Sequence, residues 1–200
     1  MKENYSIQAE NLMNSIYEDY IHSIKKFHEI RITVNLLKKI KFKVKDNYRR
    51  LEDFSEIRID NKTKLINILI YKQEYIDVLK EQIKIIKMDF STEGQFLFIK
   101  KPKYTYNQLM ELVEELEKYR NTIITKCSKA KLEPILRSRH GVENQFIESS
   151  TAQKTSKNCD VIYKKYEKMV NQITEKKIGE ILGKDFFQKY KKETLNTAFE

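Results

Sequence analysis

Three histidines, His22, His28 and His140, and two cysteines, Cys127 and Cys159, are the residues of this 200-residue chain best suited to proton transfer, nucleophilic attack or metal ligation. None falls in a working pattern. HExxH and HxxxH spacings are absent, as are the glycine signatures GxxxxGK[ST], GxGxxG and GxSxG that cradle phosphates or expose a serine. His140 follows Arg137 and Arg139 closely enough to read as a solvated basic turn. The cysteines form no CxxC pair, and two lone thiols fit a reducing, intracellular and cytoplasmic setting. These observations predict a protein that is not an enzyme and needs no metal or cofactor.

Anion binding is the chemistry that remains. Lys and Arg number 39 against 29 Asp and Glu, a formal net charge of +10 that is distributed unevenly. Residues 25 to 50 hold ten cations against Glu29 and Asp46, and residues 96 to 139 hold ten against five acids. In the first block Lys38, Lys39, Lys41, Lys43, Lys45, Arg49 and Arg50 interleave with Phe42 and Tyr48, a pattern that neutralises phosphates and can stack a base. Lys126, Lys129, Lys131, Arg137 and Arg139 form a second cluster. These residues, Phe42 apart, are the candidate contacts for DNA, RNA or an acidic protein partner. The competing reading is that the aromatic residues fill a core which the lysines coat. Thr174 to Leu195 has part of a helix-turn-helix pattern, but Lys184, Lys189 and Lys192 occupy positions that the motif buries.

The elements that would position these residues read as helices. Gly is limited to four and Pro to two, and neither occurs before Gly94. From Ala9 to Leu51 a heptad runs through Met13, Tyr20, Phe27, Val34 and Tyr48 in one register, broken at Lys41, and through Ile16, Ile30, Leu37, Val44 and Leu51 in the other, broken at Ser23. It predicts one long helix or two joined by a bend. Asp60 to Phe90 carries Leu65, Leu69, Ile76, Leu79 and Ile83 at helical spacing and reads as an inner helix capped by Asp60. Alternation from Ile40 to Val44, and the run Phe96 to Ile99, raise the competing possibility of strands that pair with one another. Helix is the preferred reading at 38 to 45.

Thr105 and Gln108 form a capping box, so a helix begins there and is predicted to stop near Leu132, ahead of Pro134. Residues 148 to 157 have the least structured composition, and a further helix is expected from Asn158 to Leu182, where Gly183 breaks it. The fold class predicted is therefore all-α: an elongated helical bundle with long coiled-coil-like helices and at most a minor β element near residues 38 to 45 and 95 to 99. Its expected parts are a main bundle over 1 to 139, a polar linker over 140 to 157, and C-terminal helices over 158 to 200. The function expected is a non-catalytic structural or interaction subunit, joined to a protein partner or to itself through helical seams in which Lys41 and Arg120 set register. The alternative is a nucleic-acid-binding accessory protein using residues 38 to 50. No apolar run reaches the twenty or so residues that would span a bilayer.

Overall fold

The computed structural model describes residues 5–44, 47–60, 65–100 and 102–197. They form five α-helices and six strands, in the order α1 (Tyr5–Ile24), α2 (Ile30–Lys39), β1 (Lys41–Val44), β2 (Asn47–Arg50), β3 (Ser55–Ile59), β4 (Ile66–Ile70), α3 (Ile76–Ile85), β5 (Phe90–Glu93), β6 (Phe96–Ile99), α4 (Tyr106–Glu143) and α5 (Ser149–Thr197). The all-α, coiled-coil expectation is thus corrected. The chain divides into a helical unit, Met1–Phe27 with Met110–Glu200, and a mixed unit, His28–Leu109, inserted into it. The divisions lie near residues 28 and 109, and not at the 140 to 157 segment where composition had suggested a linker.

In the mixed unit a four-stranded antiparallel sheet has the order β3-β4-β6-β5, and β1 and β2 make a separate hairpin. The segment read as an inner helix holds both β4 and α3. Ile66, Ile68 and Ile70 are completely buried while Asn67 and Leu69 between them are not, which is the period-two pattern of a strand with one covered face. β-branched isoleucines favour that pleated, half-buried surface. Leu97 and Ile99 continue the covered face on β6, and Leu79 and Ile83 of α3, Leu37 of α2 and Phe42 of β1 close the core over it. β6 pairs with β4 and β5, so it does not join the 40 to 44 segment. Gly94, at φ 57°, supplies the left-handed residue in the tight β5–β6 turn. Edge strand β3 carries a two-pronged Arg58–Glu56 ion pair, both contacts at 2.8 Å, a charged edge that discourages pairing with another sheet.

In the helical unit α1, α4 and α5 pack together. The fully buried Tyr20 of α1 shares a 2.6 Å hydroxyl hydrogen bond with Thr174 of α5, and its ring sits 5.5 Å from that of Tyr119 on α4. Burial pushes the Tyr20 phenol above its ordinary pKa, so the hydroxyl stays neutral and available to the bond. Further out, Lys165 pairs with Glu10 at 2.9 Å, and the Tyr190 hydroxyl donates to Glu117 at 2.8 Å. Burial and the Glu117 carboxylate together push the Tyr190 phenol up to about 12.

Helix α4 opens on the capping box, with Thr105 N–H donating to Gln108 Oε1 at 3.0 Å and Gln108 N–H reaching the Thr105 hydroxyl at 3.4 Å. It does not stop before Pro134 but runs through it to Glu143. A proline inside a helix forfeits one backbone hydrogen bond and costs about 3 kcal/mol, which the burial of Pro134, Ile135 and Ser138 along the same face offsets. The predicted polar linker shrinks to a turn, because α5 already begins at Ser149. Gly183, at φ 68° and ψ 176°, kinks α5 in a conformation essentially reserved for glycine. Phe199 lies outside the described residues.

Candidate functional site

The two basic clusters belong to different units, and each is considered by itself. In the mixed unit, α2 ends at Lys39, and Ile40, at φ −70° and ψ 130°, turns the chain directly into β1. The heptad reading fails here because Lys-Phe-Lys-Val alternates, burying Phe42 completely and leaving Lys41 and Lys43 exposed. Lys41 therefore sits on an open strand face and cannot act as a seam residue. The hairpin register is Lys41 opposite Arg50, Phe42 opposite Arg49, Lys43 opposite Tyr48 and Val44 opposite Asn47.

Directly opposed residues project to the same side of an antiparallel pair. Lys41, Lys43, Tyr48 and Arg50 consequently share one face, while Arg49 lies on the side of Phe42. All four residues of β2 are exposed, and Tyr48 is 70% exposed. The core is reached just beyond the hairpin, through Leu51 and Phe54, with the Phe54 ring packed edge-on to Phe42 at 5.9 Å. The Arg50 backbone N–H donates to Asp53 at 2.9 Å, and the Ser55 hydroxyl donates to the Leu51 carbonyl at 2.6 Å, which pins the strand's end. Lys38 is drawn to Glu52 at 3.8 Å, and Lys39 is exposed at the end of α2. Lys45 lies outside the described residues.

In the helical unit, Lys126, Lys129, Arg137 and Arg139 are exposed along α4. Arg137 bonds Glu133 at 2.6 Å. Lys131 is half-buried, pairing with Asp160 at 2.9 Å beneath the Tyr163 ring, so it belongs to packing more than to a free surface. Arg120 donates to the Asn121 side chain at 3.1 and 3.2 Å, and its charge reaches Tyr20 of α1 and Tyr190 of α5.

No group of three or more His, Cys, Asp or Glu placed to hold a metal occurs among the described residues. Both cysteines are buried, and burial pushes each thiol pKa up, away from the reactive thiolate. Beside Glu143, at 2.9 Å, His140 is exposed at the end of α4. Among the described residues, no helix is long and apolar enough to cross a membrane.

One surface escaped the sequence reading. Phe96 and Phe98 stack with centroids 6.2 Å apart on the face of the four-stranded sheet opposite the core, beside Leu69 and Asn67. The signal was present as alternation within Phe96 to Ile99, but which member of each pair faces outward depends on the partner strands.

No protein-family profile matches the chain, and no curated protein matches it. Solved structures do. A solution structure of the ribosome recycling factor matches with a TM-score of 0.51 at 18% identity, over 91% of this chain and 97% of that one. The fold resembles that of the ribosome recycling factor. A second likeness is to models for the T. thermophilus ribosome recycling factor and the E. coli elongation factor G bound to the E. coli post-termination complex. It has a TM-score of 0.48 and 16% identity, over 90% of this chain and 97% of that one, and the fold assignment rests on the first. Likeness to the ribosome recycling factor along almost the whole of both chains displaces the two functional expectations, a generic structural subunit and a nucleic-acid accessory protein.

Proposed function

We propose that this protein is a ribosome-binding translation factor that acts in ribosome recycling. The observation that carries the reading is the likeness over nearly the full length of both chains, which takes in the helical unit and the inserted mixed unit alike. It acts by binding, without covalent chemistry of its own, in the cytoplasm where its ribosomes are. The exposed cations on α4, Lys126, Lys129, Arg137 and Arg139, and those around the β1–β2 hairpin supply contacts to ribosomal phosphates. A net charge of +10 suits such a partner, since it draws the protein toward a polyanion and speeds encounter.

A reconstituted translation system stripped of its recycling factor tests the activity. With ribosomes limiting, each ribosome must be freed before it can translate again. Adding the protein is expected to raise product per ribosome from about one round to several, while first-round yield stays constant. Product that remains at a single round, with the protein folded and in excess, would overturn the reading.

A further inference from the structure

Of the described residues from 38 to 50, the hairpin register gathers four on a common outward face: Lys41, Lys43, Tyr48 and Arg50. We infer that this face is a contact for ribosomal RNA, in which the three cations hold phosphates and Tyr48 stacks on an unpaired base. The inference rests on the ribosome-binding reading and names the surface and the chemistry it uses.

Three features support it. First, Lys41 stands directly across from Arg50, and among the described residues no carboxylate is paired with either side chain. Like charges opposed across a strand pair, with Cβ atoms about 5 Å apart, weaken the pair, and an intervening phosphate reverses that sign. Second, β2 contributes no buried side chain, so Tyr48 and Arg50 are not on the surface as a by-product of filling the core. Packing explains Phe42, Leu51 and Phe54; it does not explain a 70% exposed tyrosine between two cations. Third, Lys41 and Lys43 are two residues apart on one strand, about 7 Å, and their partners lie about 5 Å away on the next, a patch that fits a short stretch of nucleotide backbone. An aromatic ring among cations is the arrangement that binds unpaired bases, because the ring stacks while the cations neutralise the adjoining phosphates.

Titration of fluorescently labelled protein with purified ribosomes over a series of KCl concentrations tests the assignment. The variant K41Q/K43Q/R50Q should bind at least ten-fold more weakly, with a log Kd against log salt slope shallower by about 2 to 3, because each phosphate left without its cation lowers the slope by about one. Tyr48→Ala should lose about ten-fold with an unchanged slope, because stacking carries no counterion release. The charge-conserving K41R/K43R/R50K should bind like the wild type, and all variants should keep its circular dichroism spectrum. A control triple on exposed lysines of α5, K154Q/K157Q/K164Q, should bind nearly as the wild type does.

Equal losses from both triples would overturn the hairpin assignment in favour of diffuse attraction, as would wild-type affinity and slope in the hairpin triple. Either result leaves ribosome binding itself intact. Failure of the wild-type protein to bind ribosomes would remove the parent reading and this assignment with it. A photo-crosslinking p-benzoylphenylalanine in place of Tyr48 should join ribosomal RNA; crosslinks to ribosomal protein alone would overturn the choice of partner.

Discussion

Phe42→Ala is expected to destabilise the mixed unit by about 3–5 kcal/mol, the range for removing a fully buried phenylalanine and leaving a cavity. Phe42 is wholly inaccessible, in one core with Leu37, Leu79 and Ile68, and meets Phe54 edge to face. An aromatic pair of that geometry contributes about 0.5–1.5 kcal/mol beyond area burial, so the loss should sit toward the upper end of the range. The expected readout is a lower denaturation midpoint for amides in β4 and β6, followed by hydrogen exchange. Exposed Lys43→Ala, next in sequence, should change stability by no more than about 0.5 kcal/mol. Similar effects from the two substitutions would mean that residues 41 to 44 do not alternate as described.

The second large effect is expected in the helical unit. Tyr20→Ala should cost about 3–5 kcal/mol, because it empties a fully buried aromatic site against Tyr119 and leaves the Thr174 hydroxyl without one partner. Tyr20→Phe keeps the ring and deletes only the 2.6 Å hydrogen bond, for an expected loss of about 1 kcal/mol. Thr174 also donates to the Val170 carbonyl at 2.6 Å, which limits that loss. Chemical denaturation followed by circular dichroism at 222 nm measures both. A Tyr20→Phe loss as large as that of Tyr20→Ala would mean the hydroxyl, and not the ring, secures the helices.

What could be read from sequence depended on how local its cause was. The capping box at Thr105 and Gln108 involves four consecutive residues, and its hydrogen bonds form as the sequence implies. Strand β4 was hidden because Leu65, Leu69 and Ile76 also satisfy a helical period. Only the partners β3 and β6, at Ser55–Ile59 and Phe96–Ile99, decide in favour of the sheet. Residues 9 to 51 offered a nearly unbroken heptad in the same way, yet the chain leaves the helical unit after Phe27 and enters a second core at Ile30. An insertion leaves little composition mark when lysine makes up a similar share of both units. Pro134 misled in the opposite direction, since tertiary burial carries α4 past a residue that would end an isolated helix.

The candidate contacts were legible as residue types but not as a surface. The stretch from Lys38 to Arg50 shows the candidate cations and aromatic residues, whereas which of them share a face, Lys41, Lys43, Tyr48 and Arg50, needs the β1–β2 register. Likewise Lys131 looked equivalent to Lys126 and Lys129 until its ion pair with Asp160 set it apart.

Sedimentation of ribosomes through a sucrose cushion, with the full-length protein present at increasing concentration, tests the central claim most directly. The protein is expected to pellet with ribosomes, to saturate near one copy per ribosome, and to be released as salt is raised, as a contact made through many lysines and arginines must be. Protein that stays in the supernatant at low salt, or pellets in amounts that never saturate, would contradict the claim that this chain is a ribosome-binding factor.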